Sequence, residues 1–368
     1  MKDKNLPSDN NTQSLEELTK EANNIIEYLE AQKDLRNSTD SYQQLLKLNN
    51  IIEKKFHKTS KIINEEIKKK INNIRSKKMK IKLIRIAKDT NLFLKNFIKR
   101  QKRTELISAM QYGLFPGGKK IRSKILIDIG NIFKINYKTL IAVGAAVECI
   151  HAYSLIHDDL PCMDNDKLRR GKPSTHIKFG ESTAVLAGNS LLTMAFEILT
   201  SSKLKINEKA KVDLVQKLSE SSGHQGIAGG QYLDLSFEKK TISKNKIIDM
   251  EIKKTGKLFS FCCAVPAIIK KKKNKDIKFF ENIGLNIGLL FQIADDLIDF
   301  KGSSKIEGKI TGKDKKKGKA TLISLLGYQN AIKYSDKIKF KIIKDLNKRN
   351  LNSNNLNETL DYILKRNK

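Results

Sequence analysis

The run His151-Ala152-Tyr153-Ser154-Leu155-Ile156-His157-Asp158-Asp159-Leu160-Pro161-Cys162-Met163-Asp164 puts three carboxylates within seven residues, just after a mostly apolar stretch from Ile141 to Ile156. A second run, Phe291-Gln292-Ile293-Ala294-Asp295-Asp296-Leu297-Ile298-Asp299, repeats the device at the end of another apolar stretch, Leu285 to Ile293. Asp295 and Asp299 are four residues apart, so a helix carries them on one face about one turn from each other, where they can share a cation. Asp158 and Asp164 are six apart and would fall on nearly opposite sides of a regular helix. Pro161 interrupts the helical ladder and lets the chain bulge, which can bring Asp164 back to the same site. His151 precedes Asp158 by seven residues, two helical turns, and shares its face.

Clustered carboxylates repel one another unless a cation neutralises them, so their position beside apolar segments implies a metal. All-oxygen donors select a hard ion, and Mg²⁺ is the ion that combines one or two carboxylates with substrate phosphates and water. The matching anion side is also legible. Gly117-Gly118-Lys119-Lys120-Ile121-Arg122 offers a flexible turn into a helix with cations at its start, which suits a phosphate group. Arg169 and Arg170 follow the first acidic run, and planar guanidinium groups favour paired phosphate oxygens. Lys254, Lys309 and Lys319 add cations, and Thr255 a hydroxyl.

Outward from these motifs the pattern is helical. All 20 glycines lie at or after Gly113, and Pro7 is the sole proline before it. A stretch of that length without glycine, with apolar residues at helical spacing, predicts continuous helix. Ser14 and Glu17 form a capping-box signature ahead of Leu15, Leu18, Ile25, Ile26 and Leu29. Asn37, Ser38 and Thr39 form a polar break, and a second helix is expected from about Tyr42, with Leu45, Leu46, Leu48, Ile51, Ile52, Phe56, Ile62, Ile63, Ile67 and Ile71 as its stripe. The lysine-dense zone Lys68 to Lys82 reads as a solvated helical connector. No period-2 runs or Asn-Gly hairpin signals stand out. The expectation is an all-α chain with a helical hairpin over residues 1–80 and a catalytic domain over residues 81–368.

The length of 368 residues builds an ordinary core, and the longest apolar run, Leu140 to Ile150, is too short to span a bilayer. The N-terminus has no apolar leader segment, so the expected location is cytoplasmic. Cys149, Cys162, Cys262 and Cys263 have no zinc-type spacing and read as buried, reduced thiols. Net charge is +32, from 72 Lys plus Arg against 40 Asp plus Glu. Lysine far outnumbers arginine and is spread along the chain beside abundant Asn and Ile, a compositional drift that needs no partner. Aromatic stacking platforms and a nucleic-acid motif are missing, so direct nucleic-acid binding is not expected.

The first acidic run, continuing through Leu168-Arg169-Arg170-Gly171-Lys172-Pro173, closely resembles the first aspartate-rich motif of the trans-polyprenyl diphosphate synthases, and Phe291 to Asp299 resembles their second. Gly117 to Arg122, Gly229-Gly230-Gln231 and Lys254-Thr255-Gly256 fall in family order, so the resemblance covers roughly Ile81 to Lys368. It implies an isoprenoid-synthase-type helical bundle around a central cleft, and a homodimer. The implied reaction is Mg²⁺-assisted ionisation of an allylic diphosphate, attack by isopentenyl diphosphate and loss of a proton. By motif position, Asp158, Asp159, Asp164, Asp295 and Asp299 would serve the metals. Lys119, Arg122, His151 and Arg170 match positions that bind isopentenyl diphosphate. Arg169, Lys254, Thr255, Gln292 and Lys309 match positions around the allylic diphosphate, with Lys319 nearby. Asp158, Asp164, Arg169, Lys254 and Lys309 would then drive ionisation. Tyr153, five residues before the acidic pair, and its neighbour Ser154 correspond to positions that set chain length. A large ring at Tyr153 favours a fifteen-carbon product, farnesyl diphosphate, over the geranylgeranyl alternative.

Asn165 and Lys167 replace carboxylates often seen in the family's longer acidic run, Asn189 stands where Asp is usual, and Lys120 takes a usual Arg place. His157 reads as a helix-surface imidazole. A class I terpene cyclase would need neither the Gly117 to Arg122 segment nor a second acidic run of this form. From about Ser14 to Lys70 the hairpin is similar to the small subunit of exodeoxyribonuclease VII, which implies a fusion whose front part binds the large nuclease subunit. The rival reading is a DNA-associated helical scaffold that uses the basic charge.

Overall fold

The computed structural model describes residues 13–31, 38–115, 117–301 and 321–365. The chain divides into two compact units, residues 1–77 and 78–368.

In the first unit, α1 (Leu15–Glu30) begins at a reciprocal cap. The Glu17 amide donates to Ser14 Oγ at 3.1 Å, and the Ser14 amide donates to the Glu17 carboxylate at 2.6 Å. α2 (Thr39–Ile98) starts three residues earlier than expected and runs unbroken, because no Gly or Pro interrupts it. The lysine-rich zone is helical, as expected, and continuous with the rest of α2. Leu18 and Ala22 of α1 bury against Leu48 of α2, with Ile25, Leu45, Ile51 and Ile52 around them. Past that contact, Phe56, Ile62, Ile63, Ile67, Ile71 and Ile74 are exposed.

The second unit is helical throughout its core. The end of α2 contributes Met79, Leu83, Ile86, Leu94 and Ile98 to it. One apolar cluster joins α3 (Glu105–Leu114), α5 (Tyr137–Asp158), α7 (Glu181–Thr200) and α8 (Glu208–Ser222). The other joins α4 (Ile121–Ile132), α11 (Lys257–Ile269), α12 (Asn274–Lys301), α14 (Tyr328–Asn347) and α15 (Asn354–Lys365). Shorter helices α6 (Thr175–Phe179), α9 (Ile227–Phe237), α10 (Lys244–Glu251) and α13 (Leu322–Leu326) fill the periphery.

α5 is apolar on every side, as a helix surrounded by others must be. Both α5 and α7 are long and apolar enough to cross a membrane, further than the Leu140 to Ile150 run alone indicates, but most of α5 is spent as core. The described residues also contain one departure from an all-helical chain. β1 (Leu168–Arg169) and β2 (Lys172–Pro173) pair antiparallel across Arg170-Gly171, whose φ angles of 54° and 74° are left-handed. That twist is what a two-residue hairpin demands, and glycine supplies half of it at no steric cost.

α11 and α12 are among the most tightly packed pairs. A Cβ at Gly284 would lie 2.4 Å from Ser260 Cα, and one at Gly288 2.4 Å from Gly256 Cα. Backbone meets backbone there, so neither side can yield cheaply. Helix propensity alone would make Gly284→Ala stabilising by up to about 1 kcal/mol. Overpacking predicts the opposite sign, a loss of roughly 1–3 kcal/mol and a lower Tm in thermal unfolding followed by circular dichroism.

Candidate active site

α5 ends at Asp158, and the chain then doubles back on the helix terminus. The Asp164 amide donates to the Asp158 carbonyl at 2.9 Å, and the Asp166 amide to the Asp159 carbonyl at 3.2 Å. Pro161 cannot continue the ladder, and Asn165 takes a left-handed φ of 51° to close the turn. Asp158 is raised from 3.8 to about 6, chiefly by burial; Lys254 opposes the rise, while Asp164 adds to it. An acidic group this uncomfortable needs added positive charge.

Asp159 has a different engagement. It is 2% exposed and takes Arg169, whose Nε donates at 2.9 Å while Nη2 makes a second contact; Asp166 stands 3.6 Å from the same guanidinium. Asp159, which the resemblance groups with the metal ligands, is paired with Arg169 here. The β-hairpin turn fixes Arg169 and Arg170 pointing to different partners. Arg170 donates to the Gly117 carbonyl, and a Cβ on Gly118 would lie 2.8 Å from its guanidinium. The Gly-Gly pair, with φ of 92° and 125°, therefore serves as a seat for Arg170.

Around this seat stand the other cations. Arg122 lies over the rings of Phe259 and Phe291, 5.0 and 5.7 Å from their centroids, and its buried Nε has no hydrogen-bond partner among the described residues. Burial pulls the Arg122 guanidinium down, against the charges of Glu148 and Asp295. Burial and the proximity of Arg122, Arg170, Lys120 and Arg169 hold the His151 imidazole well below its ordinary value. Lys120 is occupied structurally: it pairs with Glu148 at 3.3 Å, both nearly inaccessible.

Lys254 and Thr255 sit on a π-helical turn, Ile252–Gly256, between α10 and α11. Such turns carry one extra residue and recur at functional sites. Room for it comes from Gly230, where a Cβ would lie 2.1 Å from the Lys254 amide nitrogen. Lys254 Nζ donates to Asp234 at 2.5 Å, and Thr255 Oγ1 donates to Gln292 Oε1 at 3.1 Å, while Gln292 Nε2 donates to Asp296 at 2.9 Å. Lys254 lies near enough to Asp158 to oppose its neutralisation, and Asp295 lies near enough to Arg122 to favour its charge.

Tyr153 packs edge-on against His157, centroids 5.3 Å apart, and His157 Nε2 is 3.0 Å from the Val185 carbonyl oxygen of α7. Ser154 is buried, donating to the His151 carbonyl. Cys162 is exposed, contrary to the expectation of four buried thiols, because it rides the loop that Pro161 opens. Lys309 and Lys319 lie outside the described residues. Glu148 and Asp234 were not picked out by motif reading, and Gln231 entered only as the end of the Gly229-Gly230-Gln231 motif, without a role. Gln231 and Asp234 share a face of α9 three residues apart, a signal the spacing carried; Gln231 is 4% exposed with neither amide atom bonded among the described residues.

No group of three or more His, Cys, Asp or Glu side chains forms a closed metal cage among the described residues. That suits Mg²⁺, which keeps waters and takes much of its coordination from substrate phosphates. The donor chemistry fits: Asp158 and Asp164 on one side and Asp295 and Asp299 on the other are the residues that would hold it. A polar cavity of about 300 Å³ between α8, α11 and α12 is separate from all of them, and its Lys217 is already bound to Glu220 and Glu281.

Residues 103–363 match the polyprenyl synthetase family. The chain is 38% identical over 289 residues to the farnesyl diphosphate synthase of Escherichia coli strain K12, covering 77% of this chain and 97% of that one. Its fold matches an FPP/GFPP synthase from Zymomonas mobilis at a TM-score of 0.70 and 34% identity, over 78% of this chain and 99% of the other. It also matches a geranyltransferase from Helicobacter pylori complexed with magnesium and isoprenyl diphosphate, at a TM-score of 0.64 and 31% identity, over 77% and 96% of the two chains. An all-α bundle with these likenesses is a transferase, and the chain belongs to the polyprenyl synthetase family.

Proposed function

We propose that the protein condenses isopentenyl diphosphate with dimethylallyl and then geranyl diphosphate to give farnesyl diphosphate. The observation that carries this reading is the half-buried Asp158 at the end of α5, against which the chain folds back to bring Asp164, with Lys254 close by. When bound, Mg²⁺ would supply the charge that stabilises a departing diphosphate. The chain's own part is to hold and orient. Lys254 and Arg169 lie on the acidic side and take the allylic diphosphate. Arg122, Arg170, Lys119 and His151 take the diphosphate of the second substrate, placing its double bond beside the allylic carbon. Cleavage of the allylic C–O bond leaves a carbocation, the isopentenyl double bond attacks it, and a proton leaves the product. Thr255 and Gln292, hydrogen-bonded to each other, offer oxygen dipoles near that charge. Apolar helix walls exclude the water that would trap the cation. Tyr153 limits the tail to fifteen carbons.

Magnesium-dependent condensation with products resolved by length tests this directly. Wild type should release farnesyl diphosphate, Asp158→Ala should lose at least about a hundredfold in kcat, and Tyr153→Ala should make longer chains. Unchanged turnover in Asp158→Ala would end the metal assignment, and a geranylgeranyl product from wild type would correct the length.

The same carboxylate has a stability signature. Its raised value means that the charged form is disfavoured on folding. The penalty is absent below about pH 4, grows as pH rises toward 6, and is complete above that. In metal-free protein, Asp158→Asn should therefore raise Tm at pH 7.5, by on the order of 1–3 kcal/mol of stability. The gain should vanish when melting is repeated near pH 4.

For the hairpin unit, the resemblance to the exodeoxyribonuclease VII small subunit supports a second reading, that it binds the large nuclease subunit. The exposed row of Phe56, Ile63, Ile67 and Ile74 on α2 favours a helical partner over a purely solvated extension. Co-expressed with a bacterial large subunit, the chain should co-elute on gel filtration, and Ile63→Asp with Ile67→Asp should separate the pair while prenyl transfer stays intact. Failure to co-elute, with salt-sensitive DNA binding instead, would favour the scaffold reading.

A further inference from the structure

Tyr153, the residue taken to limit the growing tail, is supported from one turn further along α5. His157 lies four residues on, on the same helix face. Its imidazole meets the phenol ring edge-on, with 87° between the planes and 5.3 Å between the centroids. A tyrosine ring swings between staggered positions about its side-chain bonds. It can gauge the length of a tail only while it keeps to one of them, so whatever fixes His157 also bears on the gauge.

His157 is held from the facing helix. Its Nε2 lies 3.0 Å from the Val185 carbonyl oxygen on α7. A carbonyl only accepts, so this nitrogen carries the proton and donates. Gly188, three residues after Val185 on the same helix, leaves the space for the ring: a Cβ there would lie 2.2 Å from His157 Nε2 and 2.4 Å from Cδ2. The backbone of α7 does not itself ask for glycine at that point, because Gly188 is not among the residues with positive φ. Glycine inside a helix costs conformational freedom, and the imidazole that it admits accounts for its use.

The wall that carries this seat is fixed in turn. Ala184, Ala187 and Leu191 of α7 are fully buried in the apolar cluster shared with α5, and close packing resists any retreat of that helix. His157 reads from the sequence as a surface imidazole, yet it is half-buried and braces one helix against the other. The path from α7 through His157 to Tyr153 is continuous contact.

We propose that His157, seated at Gly188 and hydrogen-bonded to Val185, is a positioning residue for product length, acting through Tyr153. The proposal rests on the reading of Tyr153 as the limit to the tail and deepens it. A phenol ring braced in one position stops growth at fifteen carbons, and a ring free to turn admits one more isoprene unit in a fraction of turnovers. A part in the chemistry of the neighbouring Asp158 would instead show in kcat and leave the product ratio alone.

Magnesium-dependent condensation of geranyl and isopentenyl diphosphates by the full chain, with fifteen- and twenty-carbon products resolved, tests it through their ratio. His157→Ala should raise the twenty-to-fifteen-carbon ratio about two- to tenfold, the bias expected from losing an edge-on ring pair. Gly188→Ala displaces the imidazole without removing it and should move the ratio the same way, which keeps the test open where the first variant folds poorly. In a Tyr153→Ala background, His157→Ala should add nothing further. An unchanged ratio in both variants, a fall in turnover with the ratio intact, or an undiminished lengthening without Tyr153 would each overturn the proposal. Should Tyr153→Ala itself leave product length unaltered, the reading of Tyr153 fails first and takes the proposal with it.

Discussion

Burying carboxylates beside one another is unfavourable, and much of this protein is arranged to sustain that situation at the ends of two apolar helices. α5 carries Asp158 within reach of Lys254 and Arg169, and α12 carries Asp295 within reach of Arg122. None of these cations can be tied up entirely by the acids, or nothing would remain for a diphosphate. The structure resolves this by division. Asp159 takes Arg169, Glu148 takes Lys120 and Asp234 takes Lys254, while ring faces and a backbone carbonyl hold Arg122 and Arg170.

The same division explains which acidic residues are spent on structure. Asp159 and Asp128 are nearly inaccessible and each has a dedicated cation, so neither presents a lone carboxylate to a ligand. Asp158 has no such dedicated side-chain partner among the described residues, and burial holds its carboxyl above the usual range. Reactive character here comes from incomplete compensation and not from proximity to other acids alone.

Much of this was legible in the residues. Spacing placed Asp295 with Asp299 and His151 with Asp158, the missing glycines forecast the long α2, and Ser14 with Glu17 marked the first helix start. What stayed hidden were features set by contacts across the chain. The Arg170-Gly171 hairpin has too few residues for a period-2 signal. Cys162 looked apolar by type and is exposed only because Pro161 throws out a loop. Glu148, within an apolar run, gave no hint that Lys120 would reach it. The seat of His157 at Gly188 joins residues of two different helices, which no local pattern can encode. The helical reading of the lysine-dense zone past Lys68 fits α2, whose lysines favour helix and leave that stretch solvated.

The π turn at Ile252–Gly256 carries a further consequence. Its surplus residue rotates everything downstream by about 100° relative to a regular helix. Such an offset cannot be created or erased by exchanging one side chain for another; it requires a codon to be gained or lost. The orientation of Lys254 and Thr255 is therefore insulated from ordinary substitution, yet a single in-frame deletion there would turn both away from Asp234 and Gln292 at once.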